Sequence, residues 1–263
     1  MLLMFPAIWS ILIVSKEEID IYLLLLFIYG SFIMRSAGCI INDIIDKNYD
    51  KNVKRTKFRP IASGNLETSD AIILLIIFLS IGLSILLSLN STCILLGFIA
   101  FPLILLYPLM KRFTYFPQLF LAIVFNFSVL ISWTAAAGVF DIRSLLLYLA
   151  CIFWTLGYDT IYAYQDKEDD KKIGVKSLAI YLEKNIEFWI ILFYLLFVGI
   201  FSFIGILNNF NLMFFIIIVL FALKIFYETL KIKRGGPNAS IKIFEMNSLY
   251  GFFITIGIFF NYI

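Results

Sequence analysis

Long apolar runs separated by short polar segments set the pattern of this chain. Stretches such as 21–34, 71–89 and 188–207 carry no charge, and about 20 apolar residues suffice for a helix to cross a bilayer core. The pattern predicts nine helices, over 1–14, 19–41, 71–89, 91–110, 117–138, 143–163, 188–207, 211–230 and 247–263. The first is short. Pro102, Pro108 and Pro117 fall in or beside these helices, where neighbours in a membrane protein can satisfy the freed backbone groups. The expected fold class is all-α: a polytopic membrane protein of about nine transmembrane helices, forming one domain over 1–263.

Composition agrees. Of 263 residues, 62% are hydrophobic and 15% charged, whereas a soluble domain is nearer a quarter charged. The net charge of +3 says little, and no nucleic-acid partner is expected; the placement of charge is more telling. Seventeen of the 21 Lys and Arg residues lie in the segments after the second, fourth, sixth and eighth helices. The segments between them hold only Lys16 and Arg143, and Arg35 and Lys224 lie within spans. By the positive-inside rule the basic side is cytoplasmic. The N-terminus is then cytoplasmic and the C-terminus on the far side. No signal-peptide or transit-peptide pattern is evident, so a bacterial cytoplasmic (inner) membrane is the expected location.

The absence of histidine excludes Ser-His-Asp and Cys-His nucleophile systems and imidazole-bound haem or zinc. Cys39, Cys93 and Cys151 have no metal-ligand spacing and read as small hydrophobes. Most aromatic residues are expected to face lipid or the interface, and Lys224 and Glu228, four apart, to pair with each other.

Two polar segments hold the candidate chemistry. The first contains Asn42, Asp43, Asp46 and Asp50, followed by Lys54, Arg55 and Arg59. If the second helix continues through Asp50, its three aspartates fall within about 60° of one another. The second contains Tyr158, Asp159, Tyr162, Asp166 and Asp170, and a helix there places Asp159, Asp166 and Asp170 on a stripe about 40° wide. A lone acidic cluster is usually a solvated surface. Here Asp46-Lys-x-x-Asp50-Lys recurs as Asp166-Lys-x-x-Asp170-Lys, and Asp159 lies inside an apolar run, where a carboxylate is costly. Carboxylates on one face repel unless a cation relieves them. Oxygen-only ligands suit Mg²⁺, which commonly bridges to phosphate oxygens. Lys54, Arg55, Lys111, Arg112 and Lys176 could neutralise an anionic diphosphate. Arg35, inside the second helix, reads either as the partner of a membrane carboxylate or as a clamp for an anionic substrate.

At these residues the chain resembles the UbiA family of intramembrane prenyltransferases. Asn42-Asp43-x-x-Asp46-x-x-x-Asp50 with Arg55-Thr56-x-x-Arg59-Pro60 is similar to the family's first aspartate-rich motif, and Asp166-x-x-x-Asp170 to its second. The strings Tyr107-Pro108-x-x-Lys111-Arg112, Tyr158-Asp159-Thr160-x-Tyr162-Ala163 and Ile173-Gly174-x-Lys176-Ser177 resemble one branch, the 4-hydroxybenzoate polyprenyltransferases of ubiquinone synthesis. The resemblance implies nine helices around a central cavity, similar in plan to isoprenyl synthases. It also implies Mg²⁺-dependent transfer of a prenyl chain from polyprenyl diphosphate to a small aromatic acid. Asp46, Asp50, Asp166 and Asp170 would be catalytic, binding metal together with Asn42 and Asp43. Arg35, Asp159 and Tyr162 would bind the acceptor. Helix 1–14 is shorter than the family's first helix, and Ala122 and Ser128 stand where the family often has glycine. Haem O, menaquinone and tocopherol synthesis are the alternative branches. A cation-coupled transporter is the remote alternative, disfavoured because the acids gather toward the cytoplasmic face rather than the midplane.

Overall fold

The computed structural model describes residues 2–15, 18–53 and 55–262, and the regular structure in them is entirely helical. Helix α1 (Met4–Val14) precedes the long α2 (Ile21–Asp50). After the short α3 (Pro60–Ser63) come α4 (Thr68–Leu87), α5 (Ser91–Phe113), α6 (Pro117–Phe125) and α7 (Phe127–Ala137). Then follow α8 (Ile142–Ile173), the short α9 (Leu178–Tyr181), α10 (Ile186–Leu207), α11 (Leu212–Thr229) and α12 (Ile232–Phe259). Taking α6 and α7 as one pass, eight helical passes among the described residues are long and apolar enough to cross a membrane.

The predicted span 1–14 is the exception. Helix α1 has eleven residues, about 16 Å of rise, and nine of them are buried. It is a half-length core helix between α7, α2 and α12 rather than a full span. The Tyr262 hydroxyl donates to the carbonyls of Leu12 and Ser15, fixing the end of α1 to the end of the chain.

Other differences concern helix ends. The helices predicted to stop at 41 and 163 run on to Asp50 and Ile173, because hydropathy falls there while helix-forming residues continue. Both acidic segments are therefore helical extensions rather than loops. Helix α8 begins where Asp141 accepts hydrogen bonds from the backbone of Arg143 (2.9 Å) and Ser144 (3.1 Å). It ends at Gly174, whose φ of 73° is a left-handed cap that glycine adopts without cost. The span predicted over 117–138 is broken at Asn126, whose buried amide donates to the Ala122 carbonyl (2.8 Å) and, on α8, to Thr155 (2.9 Å). The last helix begins at Ile232 rather than 247 and kinks at Gly236 (φ 61°, ψ −153°), just before Pro237.

One core joins α1, α7, α8, α10, α11 and α12, and it is built around Trp9, Trp154, Phe197, Phe201 and Phe214. Aromatics thus divide between the interior and the outer face, where Phe32, Phe203 and Phe252 are exposed. Neither α4 nor α5 contributes a residue to this core. A cavity of about 490 Å³ opens between α2, α4, α5 and the α6–α7 pair.

Candidate active site

Three helix ends and one loop meet beyond Gly38 and Tyr107, the last residues of α2 and α5 to line this cavity. The end of α2 brings Asp43, Asp46 and Asp50, the end of α5 brings Lys111 and Arg112, and the end of α8 brings Asp166 and Asp170. The turn after α2 supplies Arg55 and Arg59. Thr56 fixes that turn by donating to the Asp50 carbonyl at 3.1 Å.

Asp46 is fully buried. The Lys111 ammonium pairs with its Oδ2, and Arg112 lies 3.8 Å from its Oδ1 while donating to the Ile45 carbonyl at 2.8 Å. Burying an unpaired carboxylate would cost several kcal/mol, so α5 must present a cation here. Arg59 bridges Asp43 (2.8 Å) and Asp50 (2.9 Å). Arg55 reaches across to the second segment and grips Asp166 bidentately, its Nη2 donating to Oδ2 at 2.6 Å and its Nε to Oδ1 at 3.1 Å. Burial opposes the charge on Arg55, but the hydrogen bonds to Asp166 and the attraction of Tyr162 and Asp50 prevail, raising its pKa above the ordinary guanidinium value. Asp170 is in electrostatic reach of Asp166, Lys111 and Arg55. The two acidic stripes are thus brought together through intervening cations rather than carboxylate against carboxylate.

Among the described residues, no three acidic or sulfur ligands lie close enough to hold a metal ion by themselves. The residues nevertheless fit a hard cation shared with phosphate oxygens. The donors are all oxygen, and the buried Oδ1 of Asp46 has no hydrogen-bond partner. The buried Nε of Arg112 likewise lacks an acceptor. An unpaired acceptor beside an unpaired donor, both shielded from water, suits a ligand carrying a metal ion and phosphate together.

Other predicted residues fall differently. Asn42 stands half-buried one position before Asp43. Lys54 lies outside the described residues. Lys176 does not reach the acids. Its ammonium donates to the Phe113 carbonyl at 3.1 Å and its backbone amide to the Lys111 carbonyl at 2.9 Å, so it straps the α8–α9 connection to the end of α5. Tyr162 lies 5.0 Å beneath the Arg55 guanidinium and 4.6 Å from Phe244, beside the charged cluster. Arg35 opens into the apolar cavity beside Tyr107, its guanidinium 5.4 Å from the centre of the Phe125 ring. Among the described residues it has no ion-pair partner. Asp159, half-buried on α8, is in electrostatic reach of it.

Sequence reasoning quoted Arg59 within a motif without giving it a role. Its position before Pro60, where the backbone is extended, was the available signal. Gln118, which closes the string that begins at Tyr107-Pro108, was likewise given no role. Its buried carbonyl accepts from the Leu178 amide at 2.8 Å, a second strap between α6 and the α8–α9 connection. Lys224 and Glu228 pair at 2.8 Å, as expected from their spacing.

The chain is similar to known proteins along its whole length. It is 38% identical over 263 residues to the 4-hydroxybenzoate octaprenyltransferase of Psychromonas ingrahamii, covering 100% of this chain and 92% of that protein. It is 47% identical over 192 residues to the mitochondrial 4-hydroxybenzoate polyprenyltransferase of Drosophila melanogaster, covering 72% of this chain and 49% of that protein. The structure of a UbiA homologue from Aeropyrum pernix K1 superposes with a TM-score of 0.86 at 24% identity, covering 100% of this chain and 98% of the other. A UbiA homologue from Archaeoglobus fulgidus, bound to GPP and Mg²⁺, matches with a TM-score of 0.68 at 15% identity, covering 99% and 95%. The model of the UbiA prenyltransferase family matches residues 3–256, and the chain, with both acidic segments of that family's pattern joined at one cavity mouth, belongs to the UbiA prenyltransferase family.

Proposed function

We propose that this protein transfers a polyprenyl group from polyprenyl diphosphate to the ring carbon ortho to the hydroxyl of 4-hydroxybenzoate, a step of ubiquinone synthesis. The observation that carries this reading is the meeting of both acidic segments, through Lys111 and Arg55, at the charged end of an apolar cavity that also contains an unpaired arginine. The activities named for the two relatives support the choice of acceptor.

In this reading Lys111, Arg112 and Arg55 draw the diphosphate to the mouth and stabilise the charge it gains as the allylic C–O bond breaks. Asn42, Asp43, Asp46, Asp50, Asp166 and Asp170 would hold Mg²⁺, which when bound supplies further neutralisation of the leaving diphosphate. The isoprenoid tail occupies the apolar cavity and the adjoining bilayer. Aromatic walls such as Phe101 and Phe125 exclude the water that would otherwise capture the allylic cation. Arg35 holds the acceptor's carboxylate with Asp159 nearby. The ring carbon forms the new C–C bond and then releases its proton.

The test is incubation of membranes with labelled 4-hydroxybenzoate, a polyprenyl diphosphate and Mg²⁺, with mass analysis of the lipid product. Product should appear, vanish with EDTA and return with added Mg²⁺. Undiminished product in chelator would sink the metal-assisted mechanism.

The strong bias of Lys and Arg supports placing the acidic mouth in the cytoplasm. A reporter fused after Lys57 or Lys176 should then read cytoplasm, and one after Ile263 the opposite side. A cytoplasmic C-terminal reporter would reverse the assigned number of crossings.

A further inference from the structure

Glycine is the costliest residue after proline inside a helix, and four glycines line the cavity: Gly30, Gly38, Gly82 and Gly97. Two have packing reasons: a Cβ on Gly82 would meet the Met34 sulfur at 2.5 Å, and one on Gly97 would strike Leu86. A Cβ on Gly30 would make ordinary contact with Ile85 at 3.7 Å, so the space there is already bounded by a neighbouring helix. At Gly38 a Cβ would meet nothing within 4 Å. No neighbouring helix demands a glycine there, and its backbone lies within the unbroken α2. The space beside it belongs to the cavity.

The position of that space is informative. Gly38 is the cavity-lining residue of α2 nearest the acidic end. It lies one turn beyond Arg35 and one turn before Asn42, and the three share one face of the helix. Across the cavity, Tyr107 is one turn before Lys111 on α5. Gly38 therefore marks the junction between the apolar chamber and the charged mouth, roughly 12 Å of helix rise from Asp46. An aromatic acid anchored by its carboxylate at Arg35 and directed toward the mouth must pass its ring over this position.

We infer that Gly38 is a specificity-determining residue, whose missing side chain makes room for the acceptor ring between Arg35 and the acidic mouth. The inference rests on the acceptor reading above. It separates Gly38 from Gly82 and Gly97, where a side chain would strike the facing helix, and from Gly30, where it would rest against Ile85.

The test uses purified full-length Gly38→Ala and Gly38→Val, with thermal melting to monitor folding. Gly38→Ala should melt at or above the wild-type temperature, since alanine favours the helix and meets no neighbour. Gly38→Val should raise the KM for 4-hydroxybenzoate by about tenfold or more, the scale of extra methyl groups in an apolar pocket, while the prenyl diphosphate KM stays within about twofold. Gly38→Ala should accept 4-hydroxybenzoate nearly as well as wild type, but lose more than wild type when the acceptor ring carries a methyl group. An unchanged acceptor KM in Gly38→Val, or a lowered melting temperature in Gly38→Ala, would overturn the inference and leave the acceptor reading standing. A wild type that binds prenyl diphosphate but neither binds nor prenylates 4-hydroxybenzoate would overturn both.

Discussion

The two sides of this helical bundle are packed on different terms. On one side, α1, α8, α10, α11 and α12 interlock through aromatic rings. Trp9 lies 4.9 Å from Trp154, Phe197 5.2 Å from Phe201, and Phe221 5.2 Å from Tyr250. A buried amide links two of these rings across helices: the Asn247 carbonyl accepts from both Trp154 (3.1 Å) and Tyr194 (2.9 Å). On the other side, α4 buries only Ala71, and α5 only Cys93, Ala100 and Pro108. Their inner faces line a cavity instead of a core. In water such a cavity would collapse or destabilise the fold. In a bilayer, lipid tails are as apolar as leucine, so helices are not forced together by the hydrophobic effect. The interlocked side can therefore hold the fold while the open side accepts an apolar chain. The charged mouth ties them together, since its ion pairs join α5 to α2 and the turn after α2 to α8.

The largest expected effect sharpens the contrast through stability. Trp154 is fully buried at the centre of the aromatic core. Trp154→Ala should cost about 3–5 kcal/mol, the usual range for deleting a buried large aromatic. Phe101→Ala, on the cavity wall and 40% exposed, should cost less than about 1 kcal/mol. Unfolding of the two variants in a mild detergent can be compared directly. Equal losses would mean that the two sides are packed alike.

Next in size is an effect on chemistry alone. Asp46→Ala or Asp166→Ala should lower turnover about a thousandfold, equivalent to about 4 kcal/mol of transition-state stabilisation. The melting temperature should barely move, because the cations released, Lys111 and Arg55, can reach water. Loss of folding in step with activity would recast the mouth as part of the structural framework.

Hydropathy located the passes well and their polar ends poorly, and the reason is physical. Hydropathy records where lipid is tolerated, whereas a helix continues as long as its backbone bonds and caps allow. The second helix therefore runs past its apolar limit to Asp50, and α8 runs to the left-handed turn at Gly174. The acidic stripes were legible because three carboxylates at helical spacing form a pattern wherever the helix ends. Their partners were less so. Nothing local to Arg55 says that it will grip Asp166 rather than a ligand, because that contact spans 111 positions. The contacts of Tyr162 with Arg55 and of Lys176 with the Phe113 carbonyl were hidden for the same reason, being set by tertiary packing. The half-length α1 was visible only as a short run. That it would be a buried core helix depended on the surroundings supplied by α7, α2 and α12.

The smallest expected effect divides two arginines between the two regions. Arg35 stands in the apolar cavity with an aromatic ring beside it and no carboxylate paired to it. Arg112 stands at the mouth, between the Ile45 carbonyl and Asp46, over the ring of Tyr49 at 4.9 Å. A carboxylate entering the cavity needs a cation in a medium that screens poorly, and a guanidinium can hold it by two parallel hydrogen bonds. Lysine keeps the charge but not the fork. Arg35→Lys should therefore raise the KM for the aromatic acid by about tenfold, the loss of one charged hydrogen bond, and leave the prenyl diphosphate KM nearly unchanged. Arg112→Lys should do the reverse, since its buried Nε has no acceptor and a phosphate oxygen would supply one. Steady-state kinetics with each substrate varied in turn measures both ratios. If Arg35→Lys weakened only the diphosphate, the anion in the cavity would be the leaving group, and the acceptor would have to enter from the mouth.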